Sequence, residues 1–382
     1  MSTGTVLTDE RLAFVEALEA FAARECATRE QREALCDGGD DSHSPRLFAR
    51  MAQLGWIGAT IPEAYGGAGG SVVDGCLLLE AIEHGRMPLF GVGVTLITAA
   101  AVERFGTEAQ RVSVLGSILA GQSKAIAMSE PDAGSDVGSL RTSAQRTADG
   151  WRLDGQKTWI TAAQHADELL VVCRSDRRAA KHDGLSMFLV PADAEGVEIR
   201  PIATMGGREV NDVFLSDVHL AADALVGVEG RGWQQLMAGL NFERLVGAAW
   251  MLGMARRAFD DTLLYISQRE QFGRRVGSFQ VLKHRMADLA TEIACARAFV
   301  YEVAARAEAA PEQPLRRETS MAKLKASQLA RHAALEGMQL MGGAGYASEY
   351  GMEQLVRRAL PTTIYAGTSE IQREIIGSTY GL

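Results

Sequence analysis

The feature that most restricts the fold is a change of hydrophobic period along the chain, from helical to two and back to helical. From about Ser123 the apolar positions fall in short runs: Trp151–Leu153, Lys157–Thr161, Leu169–Cys173, Ser186–Val190, Val197–Ile202 and Val213–Leu220. Asp149-Gly150, Asp154-Gly155, Asp183-Gly184 and Pro191 stand between them, residue types that end strands and turn the chain. Six such runs in about a hundred residues read as a compact antiparallel β domain.

On either side the spacing is that of helices. Leu12, Val15, Leu18, Phe21 and Ala22 follow Thr8-Asp9-Glu10. Ser44-Pro45 reads as an N-cap with proline in the first helical position, opening a helix that carries Leu47, Met51 and Leu54 on one side. Leu77, Leu78, Ala81 and Ile82 mark another helix, and the small residues from Gly91 to Ala101 suit close packing against a neighbour. From about Gly230 helical spacing returns: Leu245, Trp250, Leu252 and Met254 lie in one long apolar helix, and Phe279–Tyr301 and Met321–Gly342 read as two more. Glu308–Pro314 is a loop by its prolines. The expected fold is α+β: an N-terminal α-helical domain over 1–122, a middle antiparallel β domain over 123–228 and a C-terminal helical bundle over 229–382.

Composition narrows the function classes. A net charge of −9 lacks the basic surface a nucleic-acid binder needs. Five cysteines, Cys26, Cys36, Cys76, Cys173 and Cys295, include no CxxC pair; they suggest neither a metal site nor a disulfide framework, and they suit a reducing compartment. The longest apolar run, Phe90–Val102, is shorter than the ~20 residues a membrane crossing takes. The opening Met-Ser-Thr-Gly-Thr carries no basic or apolar leader. The expected location is cytoplasmic, with no membrane partner.

Two stretches carry the chemistry. Ala127-Met-Ser-Glu-Pro-Asp-Ala-Gly-Ser-Asp136 is a turn-rich loop whose side chains can bond their own backbone, and a loop so rich in donors suits an anion or a heterocycle. Lys157-Thr-Trp-Ile-Thr161 reads as a strand because its residues are β-branched or aromatic. The chain lacks G-x-G-x-x-G, so it does not read as a dinucleotide binder of the Rossmann kind. Together the two stretches resemble the flavin-binding signature of the acyl-CoA dehydrogenase family, and the similarity runs from about Leu12 to the end.

That resemblance implies FAD. Its isoalloxazine would pack on the β domain and bond to Ser129 and to the Trp159–Thr161 strand, while Ser135 reaches a phosphate of the cofactor or the substrate. Ser129 replaces the threonine common in the family and keeps a hydroxyl. The adenine half would lie against a neighbouring subunit's Arg269-Glu-Gln-Phe272-Gly273, Gln280, and Gln339-Leu-Met-Gly-Gly343. By itself Arg269 reads as a solvated helix residue; the run R-x-x-F-G, with glutamine seven residues past the glycine, is the more specific sign. A site built this way requires at least a dimer, and the family is usually tetrameric. Thr368 and Glu370 fall on the cofactor side of the turn Gly367-Thr-Ser-Glu370, and Glu130 reads as structural.

The resembled reaction removes an α-proton from an acyl thioester and passes the β-hydrogen to flavin as hydride. A free carboxylate is too weak a base, so the enzyme must raise its pKa by desolvation and hold the enolate oxygen with fixed donors. In many members the base is the glutamate of Y-E-G-T; here Tyr365-Ala366-Gly367-Thr368 puts alanine in that place. A second branch, the isovaleryl- and long-chain-type enzymes, carries the base on a helix just before an arginine, and this chain has Asn241-Phe-Glu243-Arg244-Leu there. An E-R pair on a helix is ordinarily a solvated face. The surrounding Leu240–Trp250 is mostly apolar, however, and the usual base is missing, so Glu243 is the expected base. Arg244, one residue on, faces elsewhere and is assigned to ordering the helix or the CoA end, with Tyr365 and Ala366 lining the substrate and the Ala366 N–H donating to the enolate. His284 and His332 read as ordinary helix residues.

The expected activity is dehydrogenation of an acyl-CoA to the trans-2-enoyl-CoA in fatty-acid metabolism, by a homotetramer that passes electrons to an electron-transfer flavoprotein. The alternatives are a same-fold flavoenzyme acting on carrier-protein-bound acyl groups, an oxygen-using monooxygenase or oxidase, and one subunit of a hetero-oligomeric dehydrogenase.

Overall fold

A computed structural model describes residues 7–382; the Met1–Thr5 stretch considered for a leader lies outside them. Capping side chains set the first helices. The Thr8 hydroxyl accepts from the Arg11 N–H to start α1 (Asp9–Glu25), and α2 (Arg29–Leu35) follows. Ser44 caps α3 (Pro45–Gln53) with proline at its start, as the dipeptide predicts. Reciprocal capping boxes, Ser71 with Asp74 and Thr107 with Gln110, open α4 (Val72–His84) and α6 (Glu108–Leu119). Between them the small-residue stretch forms α5 (Val92–Phe105).

The strands are β1 (Lys124–Ala127), β2 (Ser143–Arg146), β3 (Gly150–Thr161), β4 (Glu168–Arg174), β5 (Leu185–Pro191), β6 (Val197–Thr204), β7 (Gly207–Ala221) and β8 (Leu225–Val226). They form one sheet in the order β6-β7-β3-β2-β4-β5-β8, with β1 beside β4. The pairing is antiparallel apart from β1, which runs parallel to β4, and one parallel pair between β2 and β4. Two runs that the sequence separates at Asp154-Gly155 are a single strand, β3. The ladder with β7 shifts register between Leu153 and Gly155 instead of turning back. Glycine is required there because a Cβ on residue 155 would lie 2.6 Å from the Thr142 hydroxyl. Trp151 and Phe188 meet edge to face, 4.9 Å between centroids, in the core under this sheet.

Helices then resume: α7 (Gly232–Gln268), a short hairpin of β9 (Glu270–Gln271) and β10 (Arg274–Arg275), α8 (Gln280–Ala309), α9 (Arg316–Met341), α10 (Gly343–Tyr346), α11 (Met352–Ala359) and α12 (Ser369–Ser378). Helix α9 begins five residues before the Met321 start read from apolar spacing, because Leu315, Thr319 and Ser320 are buried in its first turns.

By compactness the chain groups into two units. One comprises residues up to Glu33, Ser71–Met87 and Asn241–Leu382; the other comprises Ala34–Gly70 and Pro88–Leu240. The first is helical, with α1 on α4, α4 on α8, and α9 packed by α8, α11 and α12. At its centre Glu80 of α4 is buried and its carboxylate accepts from Arg256 (2.7 Å), Arg297 (2.9 Å) and Tyr301 (2.6 Å). Burial alone would raise the Glu80 pKa; the two guanidinium groups and the phenol reverse that and hold it ionised below the ordinary range. Replacing Glu80 with alanine leaves two part-exposed guanidinium groups and the Tyr301 hydroxyl without the buried acid they share. Because solvent reaches both guanidinium groups, the expected cost is about 2 kcal/mol, read as a lower urea midpoint, and an unchanged midpoint would show the cluster to be dispensable.

Candidate active site

The second unit brings the two signature stretches together. The Thr158 N–H donates to the Ser129 carbonyl at 2.9 Å. Beneath them the fully buried Lys157 ammonium donates to the Met128 carbonyl (3.0 Å) and to Glu130 Oε1 (2.8 Å). Glu130 in turn accepts from the N–H groups of Arg141 (2.6 Å) and Thr142 (2.8 Å). Burial opposes ionisation of Glu130, yet Lys157 and these donors hold its pKa below the usual carboxylate range. The expected structural role of Glu130 is therefore met by an ion pair that welds loop to strand.

A second register shift, between Lys157 and Ile160, places Trp159 in the left-handed region at φ 61° and leaves it 59% exposed while both its neighbours are buried. The result is an indole standing out from the sheet beside Ser129 and Thr161, whose hydroxyls have no hydrogen-bond partner among the described residues. Ser135 lies in the exposed part of the loop, where Asp136 pairs with Lys181 at 2.7 Å. An apolar platform flanked by unengaged hydroxyls suits a flat heterocycle with polar edges.

The first unit holds the acid–base candidates. Glu243 lies on α7, part-buried, and its carboxylate makes neither hydrogen bond nor ion pair with the described residues. Burial pushes its pKa above that of an ordinary glutamate, against the partial counterweight of Arg244 and Lys323. Arg244 is buried beside it on the same helix. Glu370 is different: it stands exposed in the first turn of α12, where its own backbone N–H and the Thr368 hydroxyl lower its pKa, so it is poorly suited to take a proton at neutral pH.

Ala366 stands where the resemblance leads one to expect a carboxylate, and it offers its backbone. It sits at φ 51°, next to Gly367 at φ 78°, and its N–H has no partner among the described residues. The turn is held from two helices. Lys323 of α9 donates to the carbonyls of Thr362 (3.0 Å) and Gly367 (2.8 Å), and Gln372 of α12 donates to those of Ala366 and Gly367 (both 3.2 Å). Gly367 suits this place because its φ of 78° strains any L side chain, and a Cβ there would also push Gln372 Nε2, 2.5 Å away, off its carbonyl contacts. Neither Lys323 nor Gln372 stands out in the sequence; both grip backbone carbonyls, and such contacts leave no residue-type pattern.

Beyond the turn, Thr368, Ser369, Glu370 and Arg373 line an open cleft of about 520 Å³ together with Arg331 and His332. Ser369 Oγ is buried there without a hydrogen-bond partner among the described residues. On the same unit Arg269, Phe272, Gln280, Gln339 and Gly343 are all exposed, and Phe272, at the tip of the β9–β10 hairpin, is 92% exposed at φ 54°. His284 is a surface residue. Among the described residues no group of three or more His, Cys, Asp or Glu could hold a metal, and no helix is long and apolar enough to cross a membrane.

Comparison with known proteins covers the whole chain. The sequence models of the acyl-CoA dehydrogenase N-terminal, middle and C-terminal domains match residues 8–122, 125–218 and 230–380. A probable acyl-CoA dehydrogenase of Bacillus subtilis is 34% identical over 97% of both chains. The mitochondrial isovaleryl-CoA dehydrogenase of Arabidopsis thaliana is 33% identical over 98% of this chain and 92% of that protein. The crystal structure of an acyl-CoA dehydrogenase from Geobacillus kaustophilus superposes with a TM-score of 0.92 at 34% identity, over 98% of this chain and 99% of that one. The chain belongs to the FAD-dependent acyl-CoA dehydrogenase family.

Proposed function

We propose that the protein dehydrogenates an acyl-CoA thioester to its trans-2-enoyl-CoA, with Glu243 removing the α-proton. The observation that carries this reading is a part-buried carboxylate with no hydrogen-bond or ion-pair partner among the described residues and a raised pKa, in a chain whose other expected base position is Ala366. A structural glutamate at such a site is normally paired; an unpaired one whose pKa lies nearer neutrality is what proton abstraction needs. The Ala366 N–H is the donor assigned to the thioester carbonyl as it becomes an enolate, a role a backbone amide keeps whatever its side chain. Arg244 and Tyr365 are assigned to the substrate, as is Ser135 at its polar end.

The donor sets fit FAD. The ring is assigned to the Trp159 platform with Ser129 and Thr161; the hydroxyls of Thr368 and Ser369 suit donation to a cofactor's phosphate oxygens, and the Glu370 carboxylate suits acceptance from a ribose hydroxyl. FAD supplies the hydride acceptor for the substrate's β-hydrogen. Exposure of Arg269, Phe272, Gln280, Gln339 and Gly343 supports their assignment to a neighbouring subunit's cofactor in a homotetramer, with an electron-transfer flavoprotein as electron acceptor. A dedicated base also argues against oxygen-using monooxygenase chemistry, which needs no α-proton abstraction.

Anaerobic titration of the purified yellow protein with a panel of straight, branched and ring-bearing acyl-CoAs tests the reading. At least one should bleach the flavin absorbance. Bleaching by none of them, but by the same acyl groups on a carrier protein, would move the substrate assignment to the carrier-bound thioester.

A further inference from the structure

Lys323 is fully buried on α9, where an ammonium group is costly unless it does something the fold or the chemistry requires. Among the described residues its ammonium bonds to the carbonyls of Thr362 and Gly367, at 3.0 and 2.8 Å, so the charge is solvated by backbone and no acid bonds to it directly. The Tyr365 ring lies 6.0 Å from its nitrogen. Those two carbonyls bracket the turn that presents the Ala366 N–H, and Thr362 is itself anchored to α9 through its hydroxyl, which donates to the Ser327 carbonyl at 3.1 Å. One ammonium group thus holds both ends of the turn, and its field reaches Glu243.

We infer that Lys323 is a positioning residue for the proton-abstraction step: it aims the Ala366 N–H by gripping Thr362 and Gly367, and its buried charge stabilises the Glu243 carboxylate. This rests on the reading of Glu243 as base. The charges facing Glu243 are Arg244 on its own helix and Lys323 across from it; those facing Lys323 are Glu243 and Arg244 from α7 and Glu370 from α12. Burial pulls the Lys323 pKa down to about 8, Glu243 acting against that shift, so the ammonium form prevails at neutral pH. A cation near a carboxylate favours its ionised form, so removing it must raise the carboxylate's pKa.

The test is α-proton exchange from a bleaching acyl-CoA into D2O, followed against pH for wild type, Lys323→Gln, Lys323→Arg and Gln372→Leu, each checked for flavin content. Gln372 grips the same turn without a charge, so it separates aim from electrostatics. In Lys323→Gln the acid midpoint should rise by about one unit and the plateau rate fall about tenfold. Lys323→Arg should keep the wild-type midpoint, and Gln372→Leu should lose rate at an unchanged midpoint. A flavin-loaded Lys323→Gln with wild-type midpoint and rate overturns the inference. If the Lys323 variants do not fold, a Gln372→Leu enzyme as fast as wild type overturns it, because loosening the turn would then not matter. No exchange by wild type with any acyl-CoA would instead sink the dehydrogenase reading beneath it.

Discussion

Glu243→Gln is expected to keep its flavin and lose acyl-CoA-dependent bleaching by ~10³-fold or more. The amide has nearly the same shape, so the apolar packing of α7 survives, but it cannot take a proton. Wild type should also show an acid limb whose midpoint lies above the ordinary glutamate value of 4.5, since burial raises the Glu243 pKa. The sign follows from the base having to be ionised: activity is full above that midpoint and falls as pH drops through it. The variant should lack this limb. Stopped-flow bleaching across pH checks both expectations, and a variant as fast as wild type would remove Glu243 from the mechanism. Glu370, held at low pKa in the first turn of α12, would then be the carboxylate to substitute next.

Glu130→Ala is expected to cost the protein both stability and flavin. It strands the fully buried Lys157 ammonium and frees the N–H groups of Arg141 and Thr142, an uncompensated charge of the kind that costs about 3–5 kcal/mol. The same pair ties Met128 to the strand that presents Trp159, so cofactor retention should fall together with stability. Combining the change with Lys157→Met should recover much of the stability, because an apolar pair of similar volume replaces a broken ion pair. Melting temperature and flavin content of the three variants give the answer; equal damage in single and double variants would mean that the ion pair is not the origin of the loss.

The alternation of helical and twofold periods made the α+β order legible, since burying one face of a helix or sheet leaves its period in the sequence. Strands β1 and β2 escaped that reading because four residues are too few to display a period. Asp154-Gly155 reads as a turn because the pair usually makes one; here tertiary packing against Thr142 turned the glycine to a different use. The unusual alanine at 366 and the E-R pair at 243 were visible as residue types. Their surroundings were not, because Lys323 and Gln372 act on carbonyls that every residue possesses. Nor does the sequence reveal that Trp159 stands clear of the sheet: that follows from a one-residue slip between β3 and β7.

The Glu80 cluster has a consequence for how the chain comes off the ribosome. Its carboxylate finds its partners 176, 217 and 221 residues downstream. Until Tyr301 has emerged, α4 can dock on α1 alone and carries an acid that lacks its full set of partners. The other compact unit, Ala34–Gly70 with Pro88–Leu240, is complete before then and is free to fold first. Synthesis of this protein is therefore an ordeal of waiting for its first helices, and nascent chains halted short of Tyr301 should be the ones that chaperones retain.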